Sequence, residues 1–224
     1  MVQVDIIIAR HGETKGNNRN IIQSAVVDVG LNETGKRQAS QLSERLRNEK
    51  IDWMVASAMS RTMETARAVA KYHPAASIIR DERLNGMGWG DLDGCSIDKC
   101  KLIRDTVIKK WLAGDFGAKH AGGESLEEVN NRITSVFTDI LKTAVKNNYK
   151  EVFVCTHGRL ITVIVAALVD KDMQKMNKYK HTNCSYYQIR VDVDRGAIED
   201  GKCDKLHFEL VCMDVRDHLL DVNQ

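Results

Sequence analysis

The chain has no excess of either charge: 33 Lys and Arg stand against 31 Asp and Glu in 224 residues. Without a global field there is no broad electrostatic footprint for nucleic acid or for an anionic membrane surface, and any anion site must be local. Long hydrophobic runs are missing too. The longest, ITVIVAALV, falls well short of the roughly 20 residues a spanning helix needs. The opening MVQVDIII carries neither a basic region nor a small-residue cleavage signal. A soluble, unexported, cytoplasmic protein with no membrane partner is expected. CxxC pairs are absent, although six cysteines (Cys95, Cys100, Cys155, Cys184, Cys203, Cys212) are scattered along the chain. A chain of this length needs no disulfide staple, so these read as reduced thiols. Proline occurs once, at Pro74. Internal repeats, low-complexity tracts and linker-like stretches are also lacking, so residues 1–224 are expected to form a single domain, with a loop and helix insertion at about 85–124.

What is present is an alternation of elements. VDIIIA reads as a strand, followed by LNETGKRQASQLSERLRNE as a helix with Ala39, Leu42 and Leu46 on one face. DWMVAS is a second strand, SRTMETARAVAKYH a helix that stops at Pro74, and SIIR a third strand. NGMGWGDLDG and GDFGAKHAGG are loops on either side of an amphipathic helix. Ser125 and Glu128 form a capping box, opening a helix with the apolar stripe Val129, Ile133, Val136, Phe137, Ile140 and Leu141. EVFVC, the helical LITVIVAAL, the alternating YYQIRVDV and a strand near HFELVC complete the pattern. Interleaved strands and helices predict an α/β fold with a largely parallel sheet covered on both faces and late antiparallel strands at one edge.

Two stretches share one grammar. IIIA is followed by Arg10, His11 and Gly12; VFVC is followed by Thr156, His157, Gly158 and Arg159. In sheets of this kind the ligand crevice lies beyond the carboxyl ends of the strands, so both histidines are expected in one site. A metal centre fits poorly: neither histidine belongs to HExxH or to a helically spaced pair, and Arg10 would repel a cation. A cysteine nucleophile fits poorly as well. Cys184 and Arg190 have the C-x5-R spacing, but the intervening SYYQI is bulky and strand-like rather than a phosphate-cradling loop. An anion site fits best, with a neutral imidazole attacking phosphorus while Arg10 and a second arginine fork onto its oxygens. Arg61, opening the helix after MVASAMS, is well placed to be that second arginine. Arg37 and Arg67 read as helix-surface cations.

RHGET with Asn17, LNETGKRQA, SAMSRTMETA, DERL with GDLDG, GGES and THG, in that order, resemble the histidine phosphatase superfamily, the phosphoglycerate-mutase-like group. IIQ at Ile21 to Gln23 and the late CMDVRDHL look most like the TIGAR-type fructose-2,6-bisphosphatases, with bacterial broad-specificity phosphatases close behind. The resemblance implies a three-layer α/β/α sandwich. It implies that His11 is the phosphorylated nucleophile, that Arg10 and Arg61 bind phosphate, and that His157 hydrogen-bonds the transferring group. Asn17, Gln23 and the Gly158 amide would complete the pocket. The expected substrate is a small phosphorylated metabolite, for example a sugar bisphosphate such as fructose-2,6-bisphosphate, with no metal or organic cofactor and no nucleic-acid partner. Oligomeric state is not specified.

The chain departs from the pattern at Gly86, where the resemblance would have a glutamate as proton donor. Several explanations are open. Another carboxylate, from Glu82, Asp91, Asp93 or Glu124, replaces it. The substrate has a good leaving group, or the protein binds phosphorylated ligands with little turnover. Or the glycine is an inactivating substitution. Mutase activity, which needs reversible transfer between alkyl hydroxyls, is disfavoured by the same glycine. A second phosphate would need further cations, for which Lys15, Arg19 and Lys119 are the candidates.

Overall fold

In the computed structural model, which describes residues 2–201, 203 and 206–220, a strand buried on both faces comes first. In β1 (Val2–Arg10) Val4, Ile6 and Ile8 point to one side of the sheet and Ile7 and Ala9 to the other, and all five are buried. It is followed by α1 (Lys15–Asn18), α2 (Glu33–Arg45), β2 (Trp53–Ala56), α3 (Ser60–Ala70) and β3 (Ile78–Arg80). Then come α4 (Ile97–Leu112), α5 (Leu126–Asn147), β4 (Glu151–Thr156), α6 (Gly158–Leu168), β5 (Tyr186–Val193), α7 (Arg195–Glu199) and β6 (His207–Val215).

The six strands form one sheet in the order β3-β2-β4-β1-β5-β6. β3, β2, β4 and β1 run parallel, whereas β5 is antiparallel to β1 and β6 antiparallel to β5. Helices cover both faces. On one, Leu42 of α2 and Met63, Ala66 and Val69 of α3 pack with Ile7, Met54 and Phe153. On the other, Val136, Phe137 and Ile140 of α5 and Ile161 and Ile164 of α6 pack with Ile6, Val152 and Val191. This is the expected α/β/α layering with an antiparallel edge. Among the described residues no helix is long and apolar enough to cross a membrane.

Local chemistry fixes the element starts. The helix expected from Leu31 begins at Glu33, because Asn32 caps it through Oδ1 to the Gly35 amide (2.8 Å). The capping box at α5 is present in both directions, Glu128 N to Ser125 Oγ (3.1 Å) and Ser125 N to Glu128 Oε2 (2.8 Å). The short α1 is an element that periodicity does not reveal. Four residues are too few to show a stripe, and its own capping box, Thr14 with Asn17, defines it.

After β3 the chain returns to insert β4 between β2 and β1. Arg10 is registered against Thr156, so the two strands end side by side and the next residue of each is a histidine.

Candidate active site

His11 and His157 stand edge to face with ring centroids 5.1 Å apart, and both are buried. The backbone around His11 is tied in on three sides. Its N–H donates to Thr156 O (3.0 Å), its carbonyl accepts from Asn183 Nδ2 (2.9 Å), and the Gly12 amide donates to Thr65 Oγ1 (3.0 Å). The imidazole Nδ1 lies 2.7 Å from the Gly12 carbonyl, which only accepts, so Nδ1 carries the proton and Nε2 keeps a lone pair. Burial, then the charges of Arg10 and Arg61, hold His11 well below the ordinary histidine range. It is therefore a neutral base at pH 7, the form a nucleophile requires.

His157 is bracketed by donors and acceptors that fix its other tautomer. Arg61 Nη2, a donor only, lies 3.3 Å from Nδ1, so Nδ1 accepts. Nε2 then donates to Ser57 Oγ (2.9 Å), and Ser57 donates to Asn85 Oδ1 (2.8 Å), which also accepts the Ala58 amide (3.0 Å). Burial and the nearby Arg61 and His11 keep this ring neutral as well. Ser57, Asn85, Asn183 and Thr65 were not singled out from sequence. Ser57 directly follows β2 and Thr65 lies one turn into α3 after Arg61, which is the signal they offer; Asn85 and Asn183 stand in irregular segments with none.

Arg10 donates from Nη1 to the His181 carbonyl (2.6 Å), while its Nε is buried without a partner. Burial lowers it to about 10, which leaves it charged at neutral pH. Arg61 is fully buried, behind His157 rather than on the pocket wall. It is held by the carbonyls of Val27 and Ser24 (3.0 Å each) and by Asp28 at 4.0 Å, and it reaches the pocket through His157. Arg37 and Arg67 are exposed on their helices, as expected.

The remaining expected residues line the same cavity of about 170 Å³. Asn17 Oδ1 accepts from the Thr14 amide (3.1 Å), so its Nδ2 remains the donor end. Gln23 Oε1 accepts from Thr14 Oγ1 (2.9 Å), and its Nε2 is buried with no partner. Gly158 begins α6, with its amide at the helix N-terminus. A Cβ there would lie 2.5 Å from His181 Nδ1 and 3.1 Å from Arg10 Cδ, so only glycine allows this approach.

Gly86 also lines the cavity. Its backbone lies outside the left-handed region, and a Cβ would meet His157 and the Gln23 carbonyl at 3.4–3.5 Å, ordinary contact distances. Nothing in the fold requires glycine here. The replacement carboxylates considered from sequence lie elsewhere: among the described residues, those lining the cavity include no aspartate or glutamate. Glu124 is held by Arg132 in a two-pronged pair (2.7 and 3.0 Å) and accepts the Gly88 amide (2.7 Å). Asp93 accepts the Trp89 amide (3.3 Å), and Asp91 and Glu82 are outside the lining.

The cations proposed for a second phosphate are also displaced. Lys119 pairs with Glu128 (2.7 Å), and Lys15 and Arg19 border a separate hollow with Asn18 and Asn32. The C-x5-R pair is dispersed: burial drives the Cys184 thiol far above its ordinary range, and Arg190 pairs with Asp5 (2.9 Å). Among the described residues, no group of three or more His, Cys, Asp or Glu could hold a metal ion.

Comparison with known proteins follows the same line. A model of the histidine phosphatase superfamily (branch 1) matches residues 6–203. Phosphoglycerate mutase-like protein 4 of Arabidopsis thaliana is 28% identical over 197 residues, 87% of this chain and 83% of that protein. The native structure of a mycobacterial glucosyl-3-phosphoglycerate phosphatase shares the fold with a TM-score of 0.80 at 20% identity, covering 96% of this chain and 100% of its own. Phosphoserine phosphatase from Entamoeba histolytica, in complex with 3-phosphoglyceric acid, does so with a TM-score of 0.77 at 22% identity, covering 97% and 100%.

Proposed function

Because this chain belongs to the histidine phosphatase superfamily (branch 1), we propose that it hydrolyses small phosphomonoesters through a phosphohistidine on His11, with no metal ion. The observation that carries this reading is the pair of neutral, tautomer-fixed imidazoles 5.1 Å apart beside two charged arginines. His11 Nε2 attacks phosphorus in line, the bond to the ester oxygen breaks, and that oxygen leaves with the electron pair. Arg10, the Gly158 amide, Asn17 and Gln23 bind the phosphoryl oxygens. Arg61 adds its charge from behind His157, and His157 hydrogen-bonds the group in transfer. Water then attacks the phosphohistidine, releasing inorganic phosphate and neutral His11.

Gly86 decides which esters are cleaved. A general acid contributes about 10²- to 10⁴-fold by protonating the leaving oxygen. With no carboxylate on the wall, an alkyl oxide must leave unassisted, whereas an aryl oxide, acyl group or second phosphate leaves readily. Hydrolysis of good leaving groups is therefore favoured over mutase chemistry and over cleavage of fructose-2,6-bisphosphate or 3-phosphoglycerate. The carboxylate-free wall also supports a second reading, a phosphate-ligand-binding protein with little turnover.

Steady-state hydrolysis in the presence of chelator separates the two. An aryl phosphate should be turned over far faster than either alkyl ester, and His11→Ala should abolish this. Gly86→Glu should raise alkyl-ester rates by about 10²-fold or more, the low side of general-acid catalysis. Absence of turnover on every substrate, with phosphate still bound, would select the binding protein. A wild-type enzyme that cleaves alkyl esters as fast as aryl ones would show that an acid comes from elsewhere.

A further inference from the structure

One phosphoryl group does not use all the guanidinium and imidazole groups in the cavity. Beyond Arg10, its lining includes Arg104 from α4, Arg159 from the first turn of α6, and His181 from the segment before β5. Three distant parts of the chain bring them together. α4 is held there by a 2.6 Å bond from the Ile97 amide to the Asn20 carbonyl, and by the bridge between Ile21 and Ser96.

Arg104 has one acidic partner, Asp105, whereas among the described residues the polar contacts of Arg159 and His181 include none. Arg159 donates from Nη1 to the neutral Asn177 Oδ1 (2.9 Å). Arg104 turns Nε and Nη2 to Asp105 (3.3 and 3.0 Å), which leaves its Nη1 out of that pair. Burial, and then the charge of Arg104, lower Arg159 from its ordinary value, with Asp105 opposing. His181 Nδ1 is buried with no partner, and burial with Arg10 and Arg159 lowers the ring to about 4. Two guanidiniums, one of them paired with Asp105, and an imidazole whose Nδ1 has no partner thus share a cavity whose lining, among the described residues, holds no aspartate or glutamate. Like charges in a partly desolvated cavity repel, and an oxyanion between them removes the repulsion and supplies the missing acceptor. Ile21, Ile97 and Trp89 line the same cavity and give it an apolar flank.

We propose that Arg104, Arg159 and His181 form a second anion site, and that the substrate is a phosphomonoester bearing a second oxyanion on a spacer that rests against Ile21, Ile97 and Trp89. The substrate assignment rests on the hydrolase reading above; the anion site does not. Either a carboxylate or a second phosphate satisfies this chemistry. The site takes the place of Lys15, Arg19 and Lys119, the sequence candidates for a second phosphate.

The test compares para-carboxyphenyl phosphate with para-carbamoylphenyl phosphate, which has nearly the same shape but no second charge. The corresponding phosphonates, which cannot be hydrolysed, report binding alone. Wild-type protein should favour the carboxylate by about tenfold or more in both kcat/KM and Kd, the size of one charge-assisted hydrogen bond. The ratio should fall toward one in Arg104→Gln and in Arg159→Gln and be largely kept in Arg159→Lys. Should Arg159→Gln fail to fold, Arg104→Gln and Arg159→Lys still decide. A para-phenylene bisphosphate ligand, compared in the same way, tells phosphate from carboxylate by whichever ratio is larger. A wild-type ratio near one, or a ratio unaffected by both glutamine variants, overturns the second site. An arginine-dependent phosphonate ratio without any hydrolysis upholds the site and overturns the hydrolase; hydrolysis with no charge preference does the reverse.

Discussion

His157 holds its proton on Nε2, turned to Ser57, and offers the Nδ1 lone pair to Arg61. To donate to a phosphoryl oxygen it must gain a second proton. The free ring is kept well below its ordinary value by burial and by positive neighbours, so it is neutral from pH 8 to pH 6. A bound dianion offsets Arg61 and Arg10 and raises that value, so binding takes up a proton and tightens as pH falls. Sulfate, a dianion across this range, should bind more tightly at about pH 6 than at about pH 8, by a factor approaching tenfold per pH unit, as one-proton linkage allows. His157→Asn should flatten that dependence. A wild-type affinity that is the same at both pH values would show that the ring does not charge.

The start of α5 links stability to the loop that carries Gly86. Ser125 and Glu128 cap the helix, and one turn further on Arg132 clamps Glu124 and also donates to the Arg83 carbonyl (2.6 Å). Ser125→Ala should cost about 1 kcal/mol of unfolding free energy, the usual value of an N-cap, seen as a lower denaturation midpoint with an unchanged urea slope. An unchanged midpoint would mean that the box contributes nothing. The cap at Ser125, the stripe from Val129 to Leu141 and the alternating strand from Tyr186 were legible in the sequence, because each is a local pattern of period 3.6 or 2. Helix α1 was not, since four residues make barely one turn and no repeat can show. Nor was the tie of Glu124 to Arg132, since an ion pair between a loop and a helix leaves no mark on spacing.

The whole sheet makes the site. Parallel pairing of β1 with β4 brings together residues 146 positions apart, His11 and His157, and the motif at each strand end was enough to anticipate it. Cations outside the motifs were harder to place. Lys15, Arg19 and Lys119, the sequence candidates, stand outside the cavity, whereas the packing of α4 and α6 carries Arg104 and Arg159 into it. Arg61 was recognised, but its place behind His157 depends on the loop from Ser24 to Asp28 folding over it. The account as a whole depends on a covalent step at His11. The most direct test is rapid neutral quenching during turnover of an aryl phosphate in chelator, followed by peptide mass spectrometry. The account predicts one phosphorylated peptide, with the phosphoryl group on His11 and none in His11→Ala. Sustained turnover with no phosphohistidine, or with the label on another residue, would contradict it.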